Sequence, residues 1–168
     1  MRIHVCSLAR LEAVVAETGA RHLVTLINAA TPVTRPASIS PANHLFLGMN
    51  DIPEPMEGHV APGEEHLEQL LAFLAGWDRT SPLVVHCWAG VSRSTAAAYV
   101  AACALDPARD EMEAALALRR ASPTATPNPR IVALADARLN RGGRMIAAIA
   151  AIGRGADCHE GTPFAYEV

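Results

Sequence analysis

Residues 82–98 read PLVVHCWAGVSRSTAAA, and the reading of the whole chain starts from them. Leu83, Val84 and Val85 follow Pro82 as an apolar, largely β-branched run too short for a helix, so they read as a strand buried on both faces and ending at Cys87. From Ser94 onward the chain continues in small, strong helix formers. The segment between, His86-Cys87-Trp88-Ala89-Gly90-Val91-Ser92-Arg93-Ser94, is therefore a strand-to-helix turn, which points backbone N–H groups at an anion.

Five residues separate Cys87 from Arg93. That spacing lets the loop curl so that the sulfur lies beneath a bowl of amides while a planar guanidinium closes one side and can bind two oxygens at once. The positive end of the following helix dipole adds to the field, which favours thiolate over thiol. Gly90 supplies backbone freedom where the loop bends most tightly. Such a bowl fits a phosphate dianion.

HCWAGVSRS resembles the signature loop of the cysteine-dependent protein tyrosine phosphatases, His-Cys-x5-Arg-Ser/Thr, and its HCxxGxSRS form resembles the dual-specificity branch. The alternation of strand and helix patterns along the chain argues for an α/β fold with a central, mainly parallel sheet of about four to five strands flanked by helices, and for ligands at the carboxyl ends of the strands. The resemblance implies the same fold. It implies a phosphatase acting on phosphate monoesters through a cysteinyl-phosphate, with Cys87 as nucleophile and Arg93 holding the transferring oxygens. Trp88, Ala89, Gly90, Val91, Ser92 and Arg93 would line the phosphate site, and His86 would order the loop behind the thiolate. The family motif also gives the Ser94 hydroxyl to the departing sulfur; taken alone, a Ser in the first turn of a helix is as readily a cap. Neither a cofactor nor a metal is implied, and His86 has no neighbour at ligand spacing.

Expulsion of an alkoxide or phenoxide needs a proton donor. Topology sorts the six aspartates. Asp78 lies at a helix-to-strand turn at the far end of the sheet, Asp106 and Asp110 follow the loop helix, Asp136 falls inside a helix, and Asp157 lies in the tail. Asp51 directly follows a strand, so it emerges on the same edge as Cys87 in a Pro- and Gly-containing loop. It is the candidate general acid, with Glu54 and Glu57 as alternatives and a turn-capping role as the bland one. Asn28, at the exit of another strand, could touch substrate or simply cap that strand.

The chain of 168 residues is expected to form one domain, with 154–168 as a C-terminal tail. Its composition, 51% hydrophobic and 18% charged, suits a globular protein, and a net charge of −3 offers no general attraction to nucleic acid or anionic membranes. All fourteen basic residues are arginines, which together with the abundant alanine hints at a GC-rich bacterial genome. Cys6, Cys87, Cys103 and Cys158 are scattered, without a CxxC pair, and suit a reducing cytoplasm; one of the other three could protect an oxidised Cys87.

Along the chain, periodicity places strands at Arg2 to Cys6, His22 to Ile27 and His44 to Gly48, and helices at Leu8 to Glu17 and Glu64 to Trp77. Asp106-Pro107 opens another helix, to about Ala121. Thr126-Pro127-Asn128-Pro129 starts one over Arg130 to Asn140, and a last one covers Arg144 to Ile152. The tail shows no clear period and either stays mobile or folds back through Phe164 and Tyr166.

The variable loop positions Trp88, Ala89, Val91 and Ser92 carry no base. That argues against a highly charged inositol phosphate and for a phosphorylated side chain on a protein, tyrosine first and serine or threonine second, or a small phosphomonoester. Trp88 would either stack on a phosphotyrosine ring or pack under the loop. The competing readings are a phosphoresidue-binding module without turnover, a rhodanese-type sulfur transferase and, more remotely, an arsenate reductase.

Overall fold

The computed structural model describes residues 2–168. Five strands, β1 (Arg2–Ser7), β2 (His22–Ile27), β3 (His44–Gly48), β4 (Leu83–Cys87) and β5 (Phe164–Glu167), form one sheet in the order β3-β2-β4-β1-β5. The first four run parallel and β5 is antiparallel to β1. Helices α1 (Leu11–Thr18), α2 (Glu64–Gly76), α3 (Arg93–Leu105), α4 (Glu111–Ala121), α5 (Pro129–Arg138) and α6 (Arg144–Ile152) cover its faces. β4 is central and every one of its residues is buried, as an unbroken apolar run in a parallel sheet requires.

Two apolar layers flank the sheet. One is thin: Leu11, Val14 and Val15 of α1 pack with Leu23, Val84 and Ile39. The other holds the larger core, where Leu67, Leu70 and Leu74 of α2 meet Val5, Val24 and Val85 of the sheet and most of α3. Alanines at 96–98, 101 and 102 keep α3 slim enough to be buried along nearly its whole length, touching β4, α2, α4 and α5. Its N-terminus is thereby held at the carboxyl edge of the sheet, immediately after Cys87. No helix among the described residues is long and apolar enough to cross a membrane.

Several boundaries differ from the sequence reading, α5 for one running Pro129–Arg138, and of the two alternatives for the tail the fold-back through Phe164 and Tyr166 is the one found. Leu8–Arg10 is a separate 3-10 turn, capped by the Ser7 hydroxyl, before α1 begins at Leu11. Asp106 does not open α4: its carboxylate accepts from the Ala108 N–H in a turn, and Asp110 caps the helix by accepting from the Glu113 N–H. The tail is ordered as β5, with Tyr166 buried and its hydroxyl donating to the Ala114 carbonyl. Asp136, inside α5 as read, caps α6 by accepting from the N–H groups of Gly143 and Met145.

The most buried ion pair lies away from the signature loop. Glu111 Oε1 is 3.0 Å from Arg141 Nη1, with both side chains more than nine-tenths covered, and Arg144 reaches the same oxygen from outside at 3.0 Å. Arg141 Nη2 also donates to the Cys103 and Asp106 carbonyls, which ties the end of α3 to α4 and α6. Glu111→Gln keeps the shape and removes the charge, leaving Arg141 buried without its counterion. Its expected cost is about 3 kcal/mol or more, read as a lower urea midpoint in equilibrium unfolding.

Candidate active site

The loop from Cys87 to Arg93 has its carbonyls tied outward. Trp88 O accepts from the Leu8 N–H at 3.2 Å, Ala89 O from Gly161 at 2.8 Å, Val91 O from Thr126 at 2.9 Å and Ser92 O from Asn128 at 3.3 Å. Three segments, around Leu8, Thr126–Asn128 and Gly161, thus hold the loop from outside. Among the described residues, none of the N–H groups of Ala89, Gly90, Val91, Ser92 and Arg93 donates to a protein acceptor. Gly90 makes the tight bend possible: its φ is +72°, and a Cβ there would stand 2.7 Å from the Cys6 carbonyl carbon of β1.

Cys87 ends β4 at the floor of this loop, with 2% of its surface exposed, and its Sγ lies 3.1 Å from the Ser94 Oγ. The sulfur is the hydroxyl's one side-chain partner, so Ser94 does not act as a cap. Arg93 is 5% exposed, and its Nη1 donates to Asn28 Oδ1 at 3.0 Å and to the Met49 carbonyl at 2.7 Å. Asn28 is an exposed residue whose side-chain oxygen fixes one end of the guanidinium, a contact that capping its strand does not describe. Arg93 Nε is buried without a hydrogen-bond partner, which among the described residues is true of no other buried side-chain nitrogen or oxygen. An orphaned buried N–H is costly unless something outside the protein completes it.

Asp51 follows β3 in a loop closed by Asn50 and Val60, whose backbone and side-chain groups bond each other. Its Oδ1 accepts from the Ser92 hydroxyl at 2.7 Å and from Asn128 Nδ2 at 2.8 Å, while its Oδ2 stands 3.9 Å from Arg93 Nε. Glu54 and Glu57 are exposed, and neither side chain bonds to the loop. Asn128 was legible in the sequence only as the start of α5, where its Oδ1 does cap the Arg130 and Ile131 N–H groups. Nothing local signals that its other end reaches Asp51.

Behind the loop, His86, Thr25 and His44 form a buried chain across β4, β2 and β3. His86 Nδ1 faces the Cys87 carbonyl at 3.3 Å and must donate to it, so Nε2 accepts from the Thr25 hydroxyl at 2.8 Å. Thr25 Oγ1 in turn accepts from His44 Nε2 at 2.9 Å. Each hydrogen has one place to go while both rings are neutral. Burial, reinforced by the charges of His44 and Arg93, pushes His86 down to about 4, and burial also lowers His44.

At the rim, Trp88 is 62% exposed, which removes the packing alternative; with Leu8, Ala9, Ala89, His159 and Glu160 it lines a groove of about 320 Å³. All four cysteines are free. Burial pushes the Cys6 thiol up to about 12 and that of Cys103 up to about 11, whereas Cys158 is exposed. No cluster of three His, Cys, Asp or Glu side chains suited to a metal ion occurs among the described residues.

No protein-family model matches the chain, and no curated protein does. Solved structures do. Human DUSP28 superimposes with a TM-score of 0.63 at 20% identity, over 83% of this chain and 88% of its own. The fold is that of the dual-specificity phosphatases. PTP-2 phosphatase of Cydia pomonella matches at a TM-score of 0.63 and 20% identity, covering 80% of this chain and 84% of that one. PTPMT1, solved in complex with PI(5)P, matches at 0.63 and 16%, covering 88% and 94%. These identities carry the dual-specificity phosphatase fold and no more.

The histidine chain sets an acid limit on stability. Between the ordinary value of 6.5 and the folded value of about 4, the unfolded chain binds a proton at His86 that the folded chain does not, so stability falls as pH drops through that window. The His86 contribution amounts to roughly 3 kcal/mol once pH is below both values. Unfolding free energies measured from pH 7 to pH 4 are expected to decline with a slope that His86→Asn flattens.

Proposed function

We propose that the protein is a phosphatase that hydrolyses phosphate monoesters through a cysteinyl-phosphate, with phosphotyrosine on proteins as the favoured substrate and phosphoserine or phosphothreonine next. The observation that carries this reading is the buried Arg93 Nε, which makes no hydrogen bond and has only Asp51 Oδ2 at 3.9 Å, beside five free loop amides, a set of donors at Cys87 to which the protein brings no acceptor within hydrogen-bond distance. A tetrahedral oxyanion would meet that need.

In the proposed reaction, the Cys87 sulfur attacks phosphorus and the ester P–O bond breaks. Arg93 and the amides of Ala89 to Arg93 hold the three equatorial oxygens as charge shifts onto them. Asp51 gives its proton to the leaving oxygen. Water then attacks the phosphorus with Asp51 as base, and the sulfur leaves as a thiolate that the Ser94 hydroxyl, already 3.1 Å away, stabilises by donating to it. Because Cys87 is nearly covered, the phosphorus must enter the loop to reach it.

PTPMT1 was solved with a phosphoinositide, yet Trp88, Ala89, Val91 and Ser92 bring no charge of their own to the loop here. An exposed aromatic ring beside the phosphate favours a phosphorylated aromatic side chain over a polyphosphorylated headgroup.

Para-nitrophenyl phosphate and a matched set of phosphotyrosine, phosphothreonine and phosphoinositide substrates test the reading. Cys87→Ser is expected to abolish turnover, Asp51→Asn to lower it by about 10² or more, and orthovanadate to inhibit competitively. Turnover that survives Cys87→Ser would overturn the proposal.

A further inference from the structure

We infer that Asn128 is a positioning residue that decides which oxygen of Asp51 carries the transferable proton, leaving Oδ1 as a fixed acceptor and Oδ2 as the acid. This rests on the reading of Asp51 as general acid given above.

The Asn128 amide cannot turn over. Its residue is 2% exposed, and its Oδ1 accepts from the Arg130 N–H at 3.1 Å and the Ile131 N–H at 3.2 Å. Rotating the amide by half a turn would set its own N–H groups against those two donors. Nδ2 is therefore committed to donating towards Asp51, and it does so to Oδ1 at 2.8 Å. The Ser92 hydroxyl donates to the same oxygen at 2.7 Å. A proton placed on Oδ1 would have only the Ser92 hydroxyl to receive it, and would leave the Asn128 N–H donating to a protonated carboxyl oxygen, a much poorer acceptor. The proton of the neutral acid thus belongs on Oδ2.

Oδ2 is also the oxygen nearer the chemistry, 3.9 Å from the unpartnered Arg93 Nε. A phosphoryl group held by that nitrogen would bring its ester oxygen to the same side. One acceptor atom, Oδ1, accordingly joins the anion loop through Ser92 to the α5 N-terminus through Asn128, and the Asn128 N–H closes the link by donating to the Ser92 carbonyl.

A cap and a positioning group make different demands, and substitution separates them. Asn128→Ser and Asn128→Thr each keep an oxygen able to cap α5 and each remove the amide N–H. The measurement is kcat/KM, which reads the steps up to the cysteinyl-phosphate, for aryl phosphates whose leaving phenols span a range of acidity. Asp51→Asn is measured alongside.

Wild type is expected to be nearly insensitive to the leaving group. Both Asn128 variants are expected to become sensitive, losing about tenfold or more on phenyl phosphate and less than about threefold on an ester whose phenol departs without a proton. Their melting temperatures are expected to stay within a few degrees of wild type. A wild-type slope in the Asn128 variants, or an equal loss on every ester, would overturn the inference; should the Ser variant fail to fold, the Thr variant decides by the same slopes. If Asp51→Asn itself keeps the wild-type slope, the general-acid reading of Asp51 has failed. If Asp51→Asn steepens and the Asn128 variants do not, the fault lies with Asn128 alone.

Discussion

A peptide unit that offers its N–H to one side offers its C=O to the other, so a bowl of inward amides exists only if the carbonyls behind it are occupied. In this protein the carbonyls of Trp88, Ala89, Val91 and Ser92 are taken up by N–H groups of Leu8, Gly161, Thr126 and Asn128. Each such bond contributes only about 1 kcal/mol net, yet losing the one at Trp88 or Ala89, where no second donor stands by, would free a peptide to rotate and turn an oxygen into the bowl. The scaffold therefore acts on the site mainly by occupying the outer ends of dipoles. Side chains add to this: the Thr95 hydroxyl also donates to the Val91 and Ser92 carbonyls, Asn28 fixes one end of the guanidinium, and Thr25 stands behind His86.

How much of this was legible from the sequence follows from the distance over which each feature is decided. β4, the signature loop and α3 were readable because apolar run, glycine, arginine and alanines are contiguous. The parallel sheet was readable from the alternation of strands and helices, and Asp51 from its place at a strand's carboxyl end. The start of α4 was misplaced because Asp106 and Asp110 are both good caps, and only tertiary packing chooses between them. β5 was left open because a four-residue edge strand with one buried side chain has too little pattern to stand out. Asn28 and Asn128 were read as local punctuation, since their second partners lie 65 and 77 residues away.

Arg93 shows how the site is held between two demands. Its guanidinium is buried, which carries a desolvation cost that a single carboxylate at 3.9 Å offsets only in part. Two neutral acceptors, Asn28 Oδ1 and Met49 O, fix one end of the fork without cancelling its charge. The positive field therefore remains available beside Cys87. Asp51, one-third exposed at the rim, is the nearest counter-charge, so its negative form and an incoming dianion compete for the same cation.

The contact between Gly161 and the loop has a consequence for how the molecule comes into being. Gly161 sits where a Cβ would be 3.0 Å from the Gly90 carbonyl, and its N–H completes the Ala89 carbonyl. On the ribosome that partner emerges roughly seventy residues after the loop it secures, together with the strand that closes the sheet edge. A nascent chain that has already exposed its thiol still lacks the clamp, so the anion site is finished only after about seventy further residues have been made.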